Sequence, residues 1–293
     1  MQIAVLSFAE ILSENLESLR SAARVKGVEF VEIEPTQLSL VIGPAESSVH
    51  YQGKLFTPQV LIHRTVAKFS HLIRPIIHVL GNSGTLVLND IDSAIASRSK
   101  LDSALNFKEH SLPFLESQFH FRGEPINIEI ETPLISKPVL GSQGKGINFH
   151  PDSKSAEQYF EEMDRDISER FVEPYLVQQD LGSEVIDLRA HVVGGRCIGL
   201  MKREPTDKSR VANIAQGGTG VPLPLTHPAA ALAVKTVEAF GLDYAGVDLL
   251  MLDNKLFVSE IDAWAGFVGI ERVCEVSVSE AILDLALERV NNK

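Results

Sequence analysis

The fold is decided by Ala245-Gly246-Val247-Asp248-Leu249-Leu250 together with the following Leu256-Phe257-Val258-Ser259-Glu260-Ile261-Asp262. Both are short apolar runs typical of β-strands, and Asp253-Asn254-Lys255 between them predicts a hairpin. Residues two apart in a strand point to the same side, so Glu260 and Asp262 are expected on one face, within reach of Asp248. Three converging carboxylates indicate a site for Mg²⁺ or Mn²⁺, which prefer oxygen ligands. Solvated acidic side chains at strand ends are the alternative.

Composition and charge limit the classes of protein that this sequence can encode. The 293 residues are 44% hydrophobic, enough for a large core. A formal net charge of −12 argues against nucleic-acid and anionic-membrane partners, which need a positive surface field. Two cysteines, no leader segment and no apolar run of spanning length predict a cytoplasmic protein. The sequence leaves the oligomeric state open, a homo-oligomer included.

The first ninety residues alternate between strand and helix patterns. Strands are predicted at residues 3–6, 28–33, 60–63 and 85–88. Helices are predicted at residues 13–25 and at residues 69–80, the second interrupted by Pro75, and Asp90 or Asp92 is expected to cap the next helix. This alternation predicts a small parallel α/β sheet.

The rest of the chain favours antiparallel strands. Alternating isoleucines at residues 126–135 predict strands of a second lobe. Further strands are predicted at residues 175–178, 188–193 and 197–202, with a turn at Gly194-Gly195. A helix at residues 227–240 is expected to end at Gly241 and to lead into the hairpin.

A lysine followed by a glycine-rich loop marks a second candidate site, in Ser136-Lys137-Pro138-Val139-Leu140-Gly141-Ser142-Gln143-Gly144-Lys145-Gly146-Ile147. Glycines let backbone N–H groups turn inward and donate to phosphate oxygens, and Lys137 adds a positive charge. The order of residues is not that of a Walker loop, and the loop lies between strands rather than before a helix. A flexible hairpin turn is the alternative.

The order and spacing of these segments resemble the ATP-grasp superfamily, and within it the RimK-type α-L-glutamate ligases. The resemblance runs through Val177-Gln178-Gln179-Asp180-Leu181, Asp187-Leu188-Arg189, Lys202-Arg203, Asn213 and Gly217-Gly218, and ends at Gly266-Phe267-Val268-Gly269-Ile270-Glu271. It covers nearly the whole chain. It implies an α/β (α+β) ATP-grasp fold, with an N-terminal parallel α/β domain at residues 1–92, a lobe with the glycine-rich loop at 93–176 and a lobe with the metal site and catalytic arginine at 177–293.

The resemblance also implies roles for individual residues. Arg203 is implied as the catalytic residue, Arg189 and Arg210 as substrate-binding residues, and Asp248, Glu260 and Asp262 as ligands of two Mg²⁺ or Mn²⁺ ions. The implied ATP-binding residues are Lys100, Lys137, Gly141, Ser142, Gln143, Gly144, Gly146, Gln179, Asp180, Leu181, Asp187 and Asn213.

The implied reaction is ATP-dependent amide formation through an acylphosphate. L-Glutamate is the expected amine, and a protein tail, a pterin-type cofactor or a glutamyl chain is the expected acidic acceptor. Two alternatives stay open: a ligase that uses another amino acid, and a nucleotide-binding module without catalysis.

The sequence departs from the family pattern in four places. Gln179-Asp180-Leu181 replaces a Glu-aromatic-Ile hinge, and Asp262 stands where the family has asparagine. Val211 occupies an arginine position, with Arg210 displaced by one residue, so acceptor recognition is expected to differ. Trp264 replaces a small residue and is expected to pack in the core or to line the acceptor pocket.

Overall fold

The computed structural model describes residues 2–7, 13–64, 67–121, 127–140, 146–165, 174–204 and 219–292. The strands are β1 (Gln2–Ser7), β2 (Glu29–Ile33), β3 (Leu38–Ile42), β4 (Ser47–Tyr51), β5 (Lys54–Leu55), β6 (Val60–Arg64), β7 (Leu86–Leu88), β8 (Ser117–His120), β9 (Leu134–Pro138), β10 (Asn148–His150), β11 (Tyr175–Gln179), β12 (Ile186–Val193), β13 (Arg196–Glu204), β14 (Thr219–Pro222), β15 (Tyr244–Leu252) and β16 (Lys255–Asp262). The helices are α1 (Ser13–Val25), α2 (Ala67–Asn82), α3 (Ile91–Ala96), α4 (Lys100–Glu109), α5 (Ser153–Arg165), α6 (Pro228–Ala239), α7 (Val268–Cys274) and α8 (Val278–Asn291).

The predicted N-terminal parallel sheet is confirmed. Its strand order is β2-β1-β6-β7, and every pair is parallel. The chain leaves β1 toward β2 on one side, and β6 lies on the other side, so the strand order reverses between β1 and β6. Asp90, not Asp92, caps α3 by accepting a hydrogen bond from the Ser93 backbone N–H.

The predicted interruption at Pro75 is wrong. Helix α2 runs without a break from Ala67 to Asn82 and carries Pro75 inside it. Proline removes one helical hydrogen bond, but Ile73, Ile77 and Leu80 follow helical spacing and are all buried. Tertiary packing of that face therefore outweighs the local preference.

Strands β3, β4 and β5 form a small antiparallel sheet that the sequence did not predict. Its outer residues are exposed, and Ile42 keeps 73% of its surface in solvent. Because apolar residues of this sheet are exposed, its strands lack the alternation of apolar and polar residues from which strands are predicted.

A four-stranded antiparallel sheet of order β10-β9-β11-β8 carries the loop after Lys137. The strand predicted at residues 126–135 is wrong in extent, because residues 127–133 are irregular and β9 begins at Leu134. The side chain of Gln118 bonds to the backbone C=O of Asn127 and the backbone N–H of Glu129, in place of a neighbouring strand. Ile128 and Ile130 are buried all the same.

The largest sheet is antiparallel, with order β14-β13-β12-β15-β16. The predicted hairpin is its β15–β16 pair, turned by Asp253 and Asn254, whose φ angles are +50° and +62°. Gly194 and Gly195 turn β12 into β13, with φ angles of +55° and +72°. Positive φ at both central residues gives a turn whose twist matches that of the flanking strands.

The hydrophobic core is divided unevenly among the sheets. One cluster joins the N-terminal sheet to the five-stranded sheet, for example Leu61 with Leu188 and Val247. The four-stranded sheet has a core of its own with α5, made of Ile128, Ile130, Leu134, Ala156, Phe160 and Val177. The domain boundaries at residues 92 and 176 stay a prediction.

Across the described ranges, no helix combines the length and the hydropathy that a membrane crossing requires.

Candidate active site

Polar side chains line one face of the five-stranded sheet. Asp187 and Arg189 alternate along β12, so they point to the same side. The strand register sets Asp187 opposite Arg203 of β13 and sets Arg189 opposite Asp248 of β15. Asp248 in turn lies opposite Glu260 of β16, beside a bulge in the ladder. The register thus brings two arginines and three carboxylates onto one surface.

Ion pairs fix both arginines. Arg203 donates to Asp187 Oδ1 through Nε at 2.9 Å and through Nη2 at 2.6 Å, and its Nη2 lies 3.2 Å from Asp248 Oδ1. Arg189 donates from Nη1 to the same Asp248 oxygen. All four side chains are less than one quarter exposed. Fixed and buried donors stabilise developing negative charge without having to reorganise.

The charges in this network shift one another's pKa values. Burial raises the pKa of Asp248, but Arg189 and Arg203 outweigh burial and hold that pKa below its usual range. Burial raises the pKa of Asp187 to about 6. The charge of Arg203 acts against this shift, and the charge of Asp248 adds to it. Burial lowers the pKa of Arg203, yet Asp248 and Asp187 raise it more, so Arg203 stays a cation.

Two lysines face the hairpin from other elements. Lys100 is the first residue of α4, and its backbone N–H donates to Val139 O at 3.2 Å. Lys137 lies on β9, where burial and the charge of Lys100 lower its pKa to about 8. The charges of Glu260 and Asp248 raise the pKa of Lys137, so these two carboxylates and the two lysines influence one another electrostatically. Burial also raises the pKa of Glu260.

The convergence of three carboxylates predicted from their spacing is not found. Among the described residues, no three His, Cys, Asp or Glu side chains form a group able to hold a metal ion. Asp262 is turned elsewhere: its Oδ2 accepts from Arg98 Nη1 at 2.8 Å and its Oδ1 from the Trp264 backbone N–H at 2.9 Å. Its role as a metal ligand stays a prediction.

The remaining two carboxylates do fit a hard cation. Both arginines bind the same oxygen of Asp248, and no described residue donates a hydrogen bond to its Oδ2 or to the Glu260 carboxylate. A pair of partly buried carboxylates whose oxygens are left open by the described residues is a ligand set that suits Mg²⁺ or Mn²⁺.

The glycine-rich loop is described only at its ends. Gly146 has a φ of +76°, and a Cβ there would lie 2.8 Å from Pro138 Cγ, so both the turn and the close approach need glycine. At the predicted hinge, the Asp180 backbone N–H donates to Pro133 O at 2.7 Å, and adenine binding there stays a prediction. Gln179, Asp180 and Leu181 continue from the end of β11, the strand beside Lys137.

Six of the predicted site residues lie outside the described residues: Gly141, Ser142, Gln143, Gly144, Arg210 and Asn213.

Sequence reasoning missed two residues of this region. Arg98 pairs with Asp262, and its position two residues before Lys100 was the available signal. Gly246 allows Arg189 and Ala265 to pack closely against β15, because a Cβ there would lie 3.1 Å from Arg189 Cζ and 2.6 Å from Ala265 Cβ. Trp264 is 5% exposed and donates from Nε1 to His63 Nδ1 and O, so it packs in the core.

Comparison with known proteins decides the family. The model of the RimK-like ATP-grasp domain matches residues 123–286. The chain belongs to the RimK-like ATP-grasp family. A probable α-L-glutamate ligase of Legionella pneumophila (strain Corby) is 27% identical, covering 97% of this chain and 94% of the relative. Probable α-L-glutamate ligase 1 of Shewanella sp. (strain MR-4) is 29% identical, covering 100% and 99%.

Solved structures with the same fold include ATP-grasp ligases. The ligase PsnB complexed with its minimal precursor superposes with a TM-score of 0.76 at 18% identity, covering 98% of each chain. D-Alanine–D-alanine ligase from Bacillus anthracis complexed with ATP superposes with a TM-score of 0.70 at 13% identity, covering 100% of this chain and 98% of that one. The predicted ATP-grasp fold and the predicted enzyme class, an ATP-dependent ligase, are confirmed.

Proposed function

We propose that this RimK-like ATP-grasp ligase joins L-glutamate to an acidic acceptor through an acylphosphate, with ATP and Mg²⁺ or Mn²⁺. One observation carries the proposal: Lys100 and Lys137 lie close enough to Glu260 for their charges to lower its pKa against burial, while Arg203 is paired with Asp248, opposite Glu260. This arrangement suits phosphoryl transfer, in which charge spreads over the transferring oxygens and positioned cations stabilise it. The relatives are probable α-L-glutamate ligases, and a PsnB structure contains Mg and ADP.

Each side chain has a distinct part in this reaction. Lys137 and Lys100 bind the phosphates, and Gly146 ends the loop that follows Lys137. Asp248 and Glu260 would hold the metal ions, with Asp262 as the further ligand that the family pattern implies; the metal neutralises phosphate charge when bound. Arg203, held by Asp187, aims its charge at the transferring phosphoryl group and then at the tetrahedral intermediate.

The reaction divides into two steps. An acceptor carboxylate attacks the γ-phosphate, which breaks the bond to ADP and forms an acylphosphate. The amine of glutamate then attacks the acyl carbon, a proton leaves the nitrogen, and phosphate departs as the amide forms. Arg189, with Arg210 outside the described residues, is the proposed contact for an acidic acceptor on a protein of net charge −12.

A panel of amino acids tests the proposal. Purified protein with ATP and Mg²⁺ is assayed for ADP release with each amino acid, with acidic peptides and pterin acids as acceptors, and products are weighed by mass spectrometry. A glutamate-dependent signal with a glutamyl mass increment is expected. A signal with a different amino acid would replace glutamate in the proposal and favour the alternative ligase.

Glu260→Gln serves as the metal variant in this assay. It removes a charge but keeps the shape, so the fold should persist while Mg²⁺-dependent ADP release is lost. Glu238→Gln on α6 is the matched control and should behave as wild type. Unchanged turnover in Glu260→Gln would refute the metal assignment.

A further inference from the structure

Arg64 is a buried arginine with unfilled hydrogen-bond donors. It ends β6, is 1% exposed, and stacks its Cζ 4.9 Å from the centre of the Phe267 ring. Its Nη2 donates to the backbone oxygens of Trp264 at 3.1 Å and Ala265 at 2.7 Å. Its Nε and Nη1 are shut off from solvent, and in the described part of the chain neither has a partner at good hydrogen-bond geometry. Buried donors of this kind are rare in native proteins because each one left unsatisfied is destabilising.

Three further buried side chains around Arg64 have polar atoms for which the described residues supply no well-formed hydrogen bond. Ser7 ends β1 and lies opposite Arg64 in the parallel register, and its Oγ is unpaired. The Tyr244 hydroxyl lies close enough to the Arg64 guanidinium to interact with it, but not in a well-formed hydrogen bond, and no other described group bonds to it. Both ring nitrogens of His191 are unpaired, and its ring meets Phe267 edge-on at 6.5 Å, so Phe267 contacts both His191 and Arg64.

This group of side chains lies where ligands bind in open α/β sheets. Ser7 and Arg64 end the two strands between which the strand order reverses. Ligands of such sheets bind at the carboxyl ends of the strands at that point.

The same group adjoins the face of the five-stranded sheet that carries Arg189 and Arg203. Tyr244, Gly246 and Asp248 alternate on β15, as Asp187, Arg189 and His191 do on β12. The register sets His191 opposite Gly246, next to the Arg189–Asp248 pair. A ligand at Arg64 would therefore reach toward the groups assigned to catalysis.

The unfilled atoms define the chemistry of the ligand. Arg64 supplies a positive charge and two donors, two hydroxyls supply more, and the neutral imidazole of His191, whose pKa burial lowers well below its usual range, supplies one donor. No described carboxylate forms an ion pair with Arg64, and Asp262, the acid whose charge raises the pKa of Arg64 against burial, is engaged by Arg98 and the Trp264 backbone. A donor-rich site with an unpaired cation suits a carboxylate.

We infer that Arg64, Ser7, Tyr244 and His191 form the subsite for a carboxylate of the amino-acid substrate. The inference rests on the proposed function. A free amino acid fits better than the acceptor, because the unfilled donors are fully enclosed and a peptide or glutamyl chain must extend out of the protein. Arg64 thereby acts on substrate binding and not on phosphoryl transfer.

Two nucleophiles separate this role from the proposed reaction. With ATP, Mg²⁺ and the dipeptide L-glutamyl-L-glutamate as acceptor, L-glutamate is compared with hydroxylamine, which traps an acylphosphate as a hydroxamate and carries no carboxylate. Tyr244→Phe, which removes only a hydroxyl beside Arg64 that has no well-formed hydrogen bond, should raise the KM for L-glutamate about tenfold or more. Its hydroxamate formation and its KM for ATP should stay as in wild type. Tyr51→Phe on β4 is the matched control, and Arg64→Lys should repeat the effect of Tyr244→Phe more strongly.

The outcomes distinguish a failure of the proposed reaction from a failure of the proposed subsite. Absence of hydroxamate with wild type counts against the proposed reaction, and the subsite is then decided by calorimetric titration of L-glutamate into protein loaded with Mg²⁺ and AMP-PNP. Weaker glutamate binding in both variants with unchanged AMP-PNP affinity supports the subsite. Wild-type glutamate binding in both variants, or no glutamate binding by wild type, overturns it, and the unfilled atoms then hold water only.

Discussion

The two sheets that meet at the site hold their charged groups in different ways. On the five-stranded sheet, Arg189 and Arg203 are each fixed to an aspartate, and the sheet shares a core with the N-terminal strands. On the four-stranded sheet, Lys137 has no bonded partner among the described residues, and the core is small and separate. The first sheet keeps its charges in place through ion pairs, and the second holds a lysine that no described residue bonds, as the proposed phosphate-binding role requires.

Removing the fixed arginine should have the largest effect. Arg203→Lys keeps the charge but loses the fork that Asp187 orients, so kcat should fall about 10³-fold while affinity for Mg²⁺·ATP changes little. Single-turnover kinetics and nucleotide titration measure the two quantities. Lys202→Ala on the other face of β13 is the control, and an equal loss of kcat and nucleotide affinity would contradict the assigned role.

The separate cores predict separate unfolding. Phe160→Ala removes a fully buried ring from the small core and should destabilise that lobe by about 3–5 kcal/mol. Amide exchange measured by mass spectrometry should then speed up in β9 and β11 and stay slow in β15. Ile282 belongs to a second buried cluster that also joins these two sheets, through Ile3 and Tyr244, so Ile282→Ala is the counterpart and should lower protection across both sheets, the N-terminal and the five-stranded, together. Uniform loss of protection in Phe160→Ala would show that the lobes unfold as one.

The sequence predicted most of the fold because its signals are local. Alternation and turn residues were enough for the β15–β16 hairpin, since Asp253 and Asn254 adopt positive φ readily. The strand at residues 126–135 failed because a side chain, Gln118, bonds the backbone there, and such a contact leaves no trace in a hydrophobic pattern.

The sequence predicted which residues belong to the candidate site, but not which of them form ion pairs and hydrogen bonds with one another. Spacing placed Glu260 and Asp262 on one strand, yet the Asp262 carboxylate is bonded to Arg98 and to the Trp264 backbone, and the charge of Asp262 still acts on Glu260. Arg98 is 164 positions away along the chain. Pairings of that range depend on how the sheets pack, which no local pattern encodes. The same holds for Arg64, whose partners lie near residue 265.

Lys137 should make nucleotide binding sensitive to pH. Lys137 has its pKa lowered to about 8, so below pH 8 it is a cation that binds phosphate without taking up a proton. Above pH 8 binding requires proton uptake, and affinity for Mg²⁺·ADP should fall by up to about tenfold per pH unit. The free protein behaves in the opposite sense, because a lowered lysine pKa makes folding more favourable as pH rises from 8 toward 10.5.

Lys137→Arg tests the assignment of that titration. Arginine stays protonated throughout this range, so the variant should bind nucleotide with little dependence on pH between 7 and 9. The measurement is calorimetric titration in buffers of different ionisation enthalpy, which also counts the protons taken up. A pH profile in Lys137→Arg that matches wild type would assign the titration to another group.

The smallest effect is expected at the glycine that ends the phosphate loop. Gly146 and Gly53 have nearly the same φ angle, +76° and +77°, but a Cβ at Gly53 would meet nothing within 4 Å. Alanine at either position should cost about 1–2 kcal/mol of folding stability, because the left-handed conformation disfavours a side chain. Only Gly146→Ala should also weaken Mg²⁺·ADP binding, by a few-fold, because its Cβ pushes against Pro138, next to Lys137. Equal nucleotide affinity in the two variants would mean that the loop tolerates this shift, and that Lys137 reaches the phosphates without help from a rigid loop end.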